Sequence, residues 1–463
     1  MKMSNQKKVE DEIHRLQQKQ RKSMSTLERV RLLQLKLYQK AKQEKGYRFY
    51  ILYDKLFQGY VLEDAYRRVK ANGGSPGVDK QTFKDVEQYG RRKFLMELGE
   101  QIRKRTYKPS AVKRVWIEKE NGGQRPLGIP TIRDRVVQQC CKLVLEPIFE
   151  ADFNNLSYGF RPRRSAAEAV REIGKNLKAG SQEVYDADLS KYFDTIPHDK
   201  LLVALKERIS DPRILHLITL WLKTPIVEDG KYSGGRGTKT GTPQGGVISP
   251  LLSNIYLNLL DRIINKPGST YSQKGIKMIR YADDFILMSR HISEEVILEV
   301  KNLLRRMGLQ INEEKSKLVN ARKEPFDFLG FTFRYAWSIL KKDEKFWRIT
   351  PKSASEKKIR QKINVQLKRI GHYPPELVVA TLNPILRGWM NYYKIEKVSH
   401  TQVSFRKLED YLRNRLGRYY NRKSQRKSRL YGQQAFDMLI KEYGLIKPYR
   451  TSGLRPVNAL CRI

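Results

Sequence analysis

The sequence predicts an α+β protein, and three observations carry that prediction. Between residues 182 and 290, short apolar runs of strand character alternate with helical stretches. From about Pro351 onward the texture changes to long basic helices, so strands and helices are partly segregated along the chain. Hydrophobic residues make up 40% and aromatics 10% of the 463 residues, enough for real cores and too much for global disorder. At about 150 residues per domain the length suggests about three units. Composition divides them as a basic helical N-terminal extension over 1–50, a mixed region over 51–345 and a helical region with a basic tail over 346–463.

The elements follow in order. Residues 1–45 are polar, basic and helical in pattern, with Leu27, Val30, Leu32, Leu33, Leu35 and Leu37 forming an imperfect apolar face. A solvated extension and a nucleic-acid-contacting arm both fit that pattern. GGSPGVD at 73–79 is a turn-rich break. Residues 108–132 predict a β-hairpin turning at Asn121-Gly122-Gly123, and an apolar helix follows from Asp134 to about Phe149. Ser165 is placed to cap the next helix. The C-terminal helices are predicted over 354–371, 376–395 and 402–421.

Charge narrows the partner. Lys and Arg number 92 against 49 Asp and Glu, a formal net charge of +43, which attracts a polyanion strongly. That partner is a nucleic acid or, less well matched, an anionic membrane surface. Residues 351–463 alone carry 25 Lys or Arg against 7 Asp or Glu. The three cysteines, Cys140, Cys141 and Cys461, form no CxxC pair, which argues against zinc ribbons and disulfide scaffolds. The N-terminus is charged but lacks the apolar core of a secretory signal, and no apolar stretch approaches the ~20 residues of a spanning helix. An intracellular, soluble protein is expected.

The chemistry concentrates in two acidic clusters. EVYDADLSKYFDTIPHDKL reads as a strand over 183–189 running into a turn and a helix, and alternation puts Asp186 and Asp188 on one face. An acidic side chain in an apolar strand is costly unless it is paired or binds a metal. IKMIRYADDFILM, 276–288, reads as strand, tight turn and strand, with Asp283 and Asp284 at the turn. Adjacent carboxylates repel, and a divalent cation supplies the missing positive charge. Two Mg²⁺ ions about 3.5–4 Å apart could activate a primer 3′-hydroxyl and assist departure of pyrophosphate. Asp188 and Asp283 would bridge both ions, with Asp284 more peripheral. Between the clusters lies GTPQGGVISPLLSN, whose Gly241, Gly245 and Gly246 let backbone approach a ligand closely.

These strings together resemble a reverse transcriptase, and more closely the group II intron-encoded reverse transcriptase/maturase family. NGGSPGVD, NGGQRPLGIPTIRDRVVQ, SYGFRPRRSAAEAV, DADLSKYFDTIPHDKL, GTPQGGVISPLLSNIYLN, RYADD, FLGFTF and LRGWMNYY run in family order from about residue 55 to 395. The resemblance implies a right-hand polymerase of fingers and palm followed by an α-helical thumb/maturase region. It implies an RNA-directed DNA polymerase whose metal-binding and catalytic aspartates are Asp188, Asp283 and Asp284, served by two Mg²⁺ ions that Mn²⁺ can replace in vitro. Phe193 would reject a 2′-hydroxyl. Gln244 and Gly245 would line the dNTP pocket, and Lys119 and Arg125 would contact the triphosphate. Phe328, Leu329 and Gly330 resemble the segment that supports the primer terminus.

LRGWMNYY matches the family's maturase region, which makes Arg387, Trp389 and Tyr393 candidates for RNA contact. Trp389 and Tyr393 share a helix face at i, i+4, a spacing that also suits core packing. The run NRKSQRKSR adds Arg422, Lys423, Arg426, Lys427 and Arg429 as phosphate contacts, or as a solvated charged face. Implied partners are structured group II intron RNA, an RNA template with a DNA primer, dNTPs and target DNA, with no membrane. A bacterial cytoplasmic location, nucleoid-associated during action on DNA, follows. The paired cysteines and histidines of the family's endonuclease domain are missing, so an endonuclease-free member is expected. Two rivals stand beside this reading: a defence-associated reverse transcriptase, and a binding-only maturase, against which three clustered carboxylates argue.

Overall fold

The computed structural model describes residues 8, 10–13, 15, 24–118, 123–338, 344–371 and 373–449. Eleven strands lie among these residues: β1 (Val112–Glu118), β2 (Gln124–Ile129), β3 (Glu183–Ala187), β4 (Ile226–Glu228), β5 (Lys231–Ser233), β6 (Lys277–Tyr281), β7 (Asp284–Ser289), β8 (Lys317–Asn320), β9 (Phe326–Phe328), β10 (Phe331–Trp337) and β11 (Lys345–Pro351). They form three sheets, ordered β2-β1-β4-β5, β6-β7-β3-β8 and β11-β10-β9. The class is α+β, as the sequence predicts.

The second sheet is antiparallel throughout and has apolar cores on both faces. Alternation divides its side chains cleanly. Met278, Phe285, Leu287, Tyr185 and Ala187 join the large core that includes the Ile132–Glu150 and Ser249–Asn265 helices. Ile279, Ile286, Met288 and Val184 join a second core with the Ala166–Lys178 helix and β9–β11. A strand buried on both faces reads as a near-continuous apolar run, which is why VILM-type sequence flanks the acidic residues. The helix starts are specified locally: Ser25 with Glu28, and Ser165 with Glu168, form reciprocal capping boxes.

The first sheet is the expected hairpin of β1 and β2, extended by the β4–β5 hairpin through a short parallel pairing of β1 with β4. Residues 119–122, which hold the expected turn at Asn121-Gly122 and the candidate Lys119, lie outside the described residues. The GGSPGVD loop sits against the base of this hairpin. Arg135 donates to the carbonyls of Gly73 and Ser75, and a Cβ on Gly77 would lie 2.7 Å from the Thr131 nitrogen.

The Thr26–Gln43 helix is not a solvated extension. Its Val30, Leu37 and Ala41 enter the large core, and Arg208 donates to the carbonyls of Ala41, Glu44 and Lys45 at its end. Its opposite stripe, Leu32 and Leu35, is covered by Ile13 and Met24.

After β11 the chain becomes helical over Ser353–Ile370, Pro375–Tyr393 and Gln402–Tyr420, close to the expected spans, with a shorter helix at Ala435–Tyr443. These share a third core. The compositional shift near 345 falls at the start of β11, whose seven pairs to β10 keep it within the sheet system. No described helix is long and apolar enough to cross a membrane.

Candidate polymerase active site

Strand register brings the two acidic clusters together. Ala187 lies opposite Phe285 in the antiparallel pair of β3 and β7. Continuing that register by one residue sets Asp188 opposite Asp284. β6 and β7 are joined by a two-residue turn, Ala282-Asp283, closed by the Tyr281–Asp284 pair. Asp186, Asp188 and Asp284 therefore belong to one face at one end of the sheet, with Asp283 at the turn beside them.

The carboxylates perturb one another. Burial pushes the Asp284 carboxyl up to about 7, helped by the like charges of Asp283, Asp188 and Asp186. The residue as a whole is exposed at the strand end, so it is packing around the carboxyl itself, with those like charges, that raises it. Asp186 is pushed up to about 6 by burial, with Lys317 opposing and Asp188 and Asp327 adding to the rise. Asp283 is also raised by burial and by Asp188, while Arg125 and Arg280 pull the other way. Lys315 lies 3.3 Å from Asp188 and meets this cluster at its surface.

All three shifts run upward from an unfolded value near 3.9, so the folded protein holds extra protons between about pH 4 and 7. Stability from this cluster is greatest at the acid end of that window and falls as pH rises through it. Metal-free protein should therefore melt at a lower temperature at pH 8 than at pH 5.5. A millimolar divalent cation should raise the melting point at pH 8 and leave Asp283→Asn nearly unmoved, as differential scanning fluorimetry would record.

An all-oxygen donor set suits a hard divalent cation, and the mutual repulsion is the charge defect such an ion cancels. Among the described residues no three acidic, His or Cys side chains already close around one point as a finished metal cage. The carboxylates are gathered, and a cation would draw them together.

A second group of predicted residues converges beside them. Arg125 on β2 donates from Nε to Gln244 Oε1 at 3.0 Å, and Gln244 Nε2 reaches both oxygens of Asp194 at 3.4 Å. Gly245 has φ +105°, and a Cβ there would lie 2.2 Å from the Gly128 carbonyl oxygen, so loop and hairpin touch backbone to backbone. Phe193 is buried against Tyr192, and its carbonyl accepts from the Thr242 N–H at 2.7 Å. Asp194 went unmarked in the sequence because an acidic residue in a helical turn carries no pattern of its own.

Phe328 and Phe331 pair across a tight turn whose two central residues, Leu329 and Gly330, have φ +49° and +76°. Two tyrosines of the Pro375–Tyr393 helix hold that turn. Tyr392 donates its hydroxyl to the Leu329 carbonyl at 2.9 Å and stacks on Phe331, and Tyr393 Oη would sit 2.8 Å from a Cβ on Gly330. Tyr393 is 5% exposed, and Trp389 packs between Tyr393 and Phe405. Tyr393 is thus buried in packing and Trp389 half-buried. Tyr392, one residue away and exposed, was missed.

Arg387, Arg426 and Lys427 are exposed. Arg422 lies over the Tyr419 ring, and Arg429 pairs with Glu442 at 3.3 Å. The Lys423 side chain is outside the described residues.

Sequence reading also passed over Arg280, the largest fully buried side chain among the described residues. The signal was present, since a lone cation inside the apolar run IKMIRY demands a partner. The structure supplies Asp261, 2.9 Å from Arg280 Nε, and Asn254, whose Oδ1 accepts from Nη1 at 2.8 Å.

A sheet ending in clustered carboxylates, an opposed hairpin that brings Arg125 to them and a trailing helical unit define a template-directed polymerase of the right-hand class. Residues 117–333 match the family model for reverse transcriptase (RNA-dependent DNA polymerase), and 356–435 match the maturase-specific domain of group II introns. The Escherichia coli protein YkfC is 35% identical over 305 residues, covering 58% of this chain and 79% of that protein. The Lactococcus lactis group II intron-encoded protein LtrA is 28% identical over 428 residues, covering 74% of this chain and 70% of LtrA. A 91 kDa protein in the cob intron of Schizosaccharomyces pombe is 27% identical over 434 residues; the match takes in 77% of this chain and about half, 53%, of that protein. The chain belongs to the group II intron-encoded reverse transcriptase/maturase family, and it is an RNA-directed DNA polymerase joined to a maturase domain.

Proposed function

We infer that the carboxylates of Asp188, Asp283 and Asp284 hold two Mg²⁺ ions, and that around them the protein extends a DNA primer on an RNA template. The observation that carries this is the convergence of three repelling carboxylates at the end of β3 and the β6–β7 turn. When bound, the ions supply Lewis-acid activation of the primer 3′-hydroxyl and neutralise charge on the α-phosphate and leaving pyrophosphate. The chain's own residues do the positioning. Asp188 and Asp283 would hold the ions, with Asp284 in support on the strand beside them. Arg125 meets the triphosphate, and Lys119 is the second candidate for that contact. Gln244 and Gly245 form the pocket wall, and their neighbour Asp194 orients the Gln244 amide.

Phe193 closes the floor under the incoming sugar. Phe193→Ala should leave dNTP incorporation within about threefold and raise ribonucleotide use about 10- to 100-fold, the scale at which a removed steric contact changes selectivity. Competition of dNTP against rNTP in single-nucleotide extension measures it. Equal discrimination in both proteins would remove Phe193 from that role.

Phe328, Leu329 and Gly330 support the primer terminus. Exposed Arg387, Arg426 and Lys427 present charge for phosphates of a structured intron RNA. Arg422 and Lys423 are further candidates for such contacts, while Arg429 is already paired. No catalytic group is required of the protein in splicing; a basic surface that stabilises the folded intron is enough. The partners are thus intron RNA, template, primer, dNTPs and target DNA. The site of action is the nucleic acid of a bacterial cytoplasm. Purified protein should lower the Mg²⁺ needed for splicing of its cognate intron, measured by product formation across an Mg²⁺ titration. An unchanged titration at every protein concentration would sink the maturase half of this reading.

A further inference from the structure

We propose that Arg280, braced by Asp261 and Asn254, is the positioning residue that fixes the Ala282-Asp283 turn and thereby aims the carboxylates. Alternation sends Arg280 to the face of the sheet opposite Asp284, toward the Ser249–Asn265 helix. There its guanidinium meets three acceptors at once. Nε and Nη2 hold the Asp261 carboxylate, while Nη1 donates to Asn254 Oδ1 at 2.8 Å and to the Ala282 carbonyl at 2.7 Å. Arg280 and Asp261 are 0% and 1% exposed.

The turn needs such a mount. Ala282 has φ +58°, a conformation that an L-residue with a Cβ holds only when its surroundings impose it. Two neighbours impose it. The Ala282 carbonyl is held by Arg280 from below. On its flank the backbone of Gly159 lies so close that a Cβ there would sit 2.2 Å from the Ala282 nitrogen. Asn254 ties the two together, since its Nδ2 donates to the Gly159 carbonyl at 2.8 Å. The next residue after this pinned carbonyl is Asp283. A planar fork with five donors can serve the carboxylate, the amide and the turn in one geometry; a lysine ammonium keeps the ion pair but cannot span all three.

The proposal rests on the reading of Asp188, Asp283 and Asp284 as the metal-holding set, and the experiment separates the two. The full chain carrying Arg280→Lys, Asn254→Ala or Asp283→Asn is compared with the unaltered protein in three ways. These are single-nucleotide extension resolved into kcat and dNTP KM, Mn²⁺ binding to the protein alone by electron paramagnetic resonance, and thermal melting. A carboxylate displaced by about 1 Å can lose about 100-fold in rate. Arg280→Lys should lose about 100-fold in kcat with dNTP KM within about threefold, and should bind Mn²⁺ about 10-fold more weakly. Asn254→Ala, which leaves no buried charge unpaired, should lose about 10-fold in kcat in the same pattern. A purely structural ion pair would lower the melting point and leave kcat and Mn²⁺ binding of the folded fraction unchanged. Unaltered kcat and Mn²⁺ binding in Asn254→Ala and in folded Arg280→Lys overturn the proposal; should Arg280→Lys fail to fold, Asn254→Ala decides alone. Asp283→Asn that still incorporates nucleotides and binds Mn²⁺ overturns the carboxylate reading instead.

Discussion

Asp283→Asn should reduce RNA-templated primer extension by about 10³-fold or more, equivalent to roughly 4 kcal/mol of lost transition-state stabilisation. The isosteric amide keeps the turn's shape and removes one charge from the set that meets the cations. The same substitution should raise the melting point of metal-free protein at pH 8 by a few degrees, because Asp188 and Asp284 lose a like-charged neighbour. Lost activity with gained stability is the signature of a residue kept for chemistry at the expense of the fold. Extension assays with several RNA templates, run beside calorimetry, test both halves. Wild-type incorporation by the variant would remove Asp283 from the metal set.

The second large effect is expected at Gly245. An alanine there would need φ near +105° and would drive its Cβ to 2.2 Å from the Gly128 oxygen, a backbone atom that cannot swing away. Either the PQGG loop or the β1–β2 hairpin must shift, and each carries half of the pocket through the Arg125–Gln244 bond. Gly245→Ala should cut kcat/KM for dNTPs about 100-fold while melting falls by an amount equivalent to about 1–3 kcal/mol. Restored nucleotide affinity in the variant would show that the close approach is not needed.

The acidic site was legible because charge inside apolar strands is improbable without a reason. Asp186, Asp188, Asp283 and Asp284 are all anomalous in their local pattern, and antiparallel register does the rest. Arg280 obeys the same rule and could have been read by it. Gly159 could not. Its importance lies in a backbone approach between segments more than a hundred residues apart, and no local pattern encodes such a distance. The Thr26–Gln43 helix shows a similar limit: an apolar stripe says that a face will be buried without naming the surface that buries it. Tyr392 and Tyr393 illustrate a third. The i, i+4 argument selects one helix face, whereas the FLG turn engages two adjacent residues at its edge.

That engagement has a consequence for anyone recombining such proteins. The helical unit after Pro351 looks detachable by composition, yet Tyr392 and Tyr393 complete the seat of the Leu329-Gly330 turn. A hybrid spliced at the compositional seam would carry the turn without its seat unless the grafted part brought tyrosines at the same two places. In this chain the turn and the helix therefore form one unit, to be moved together or not at all.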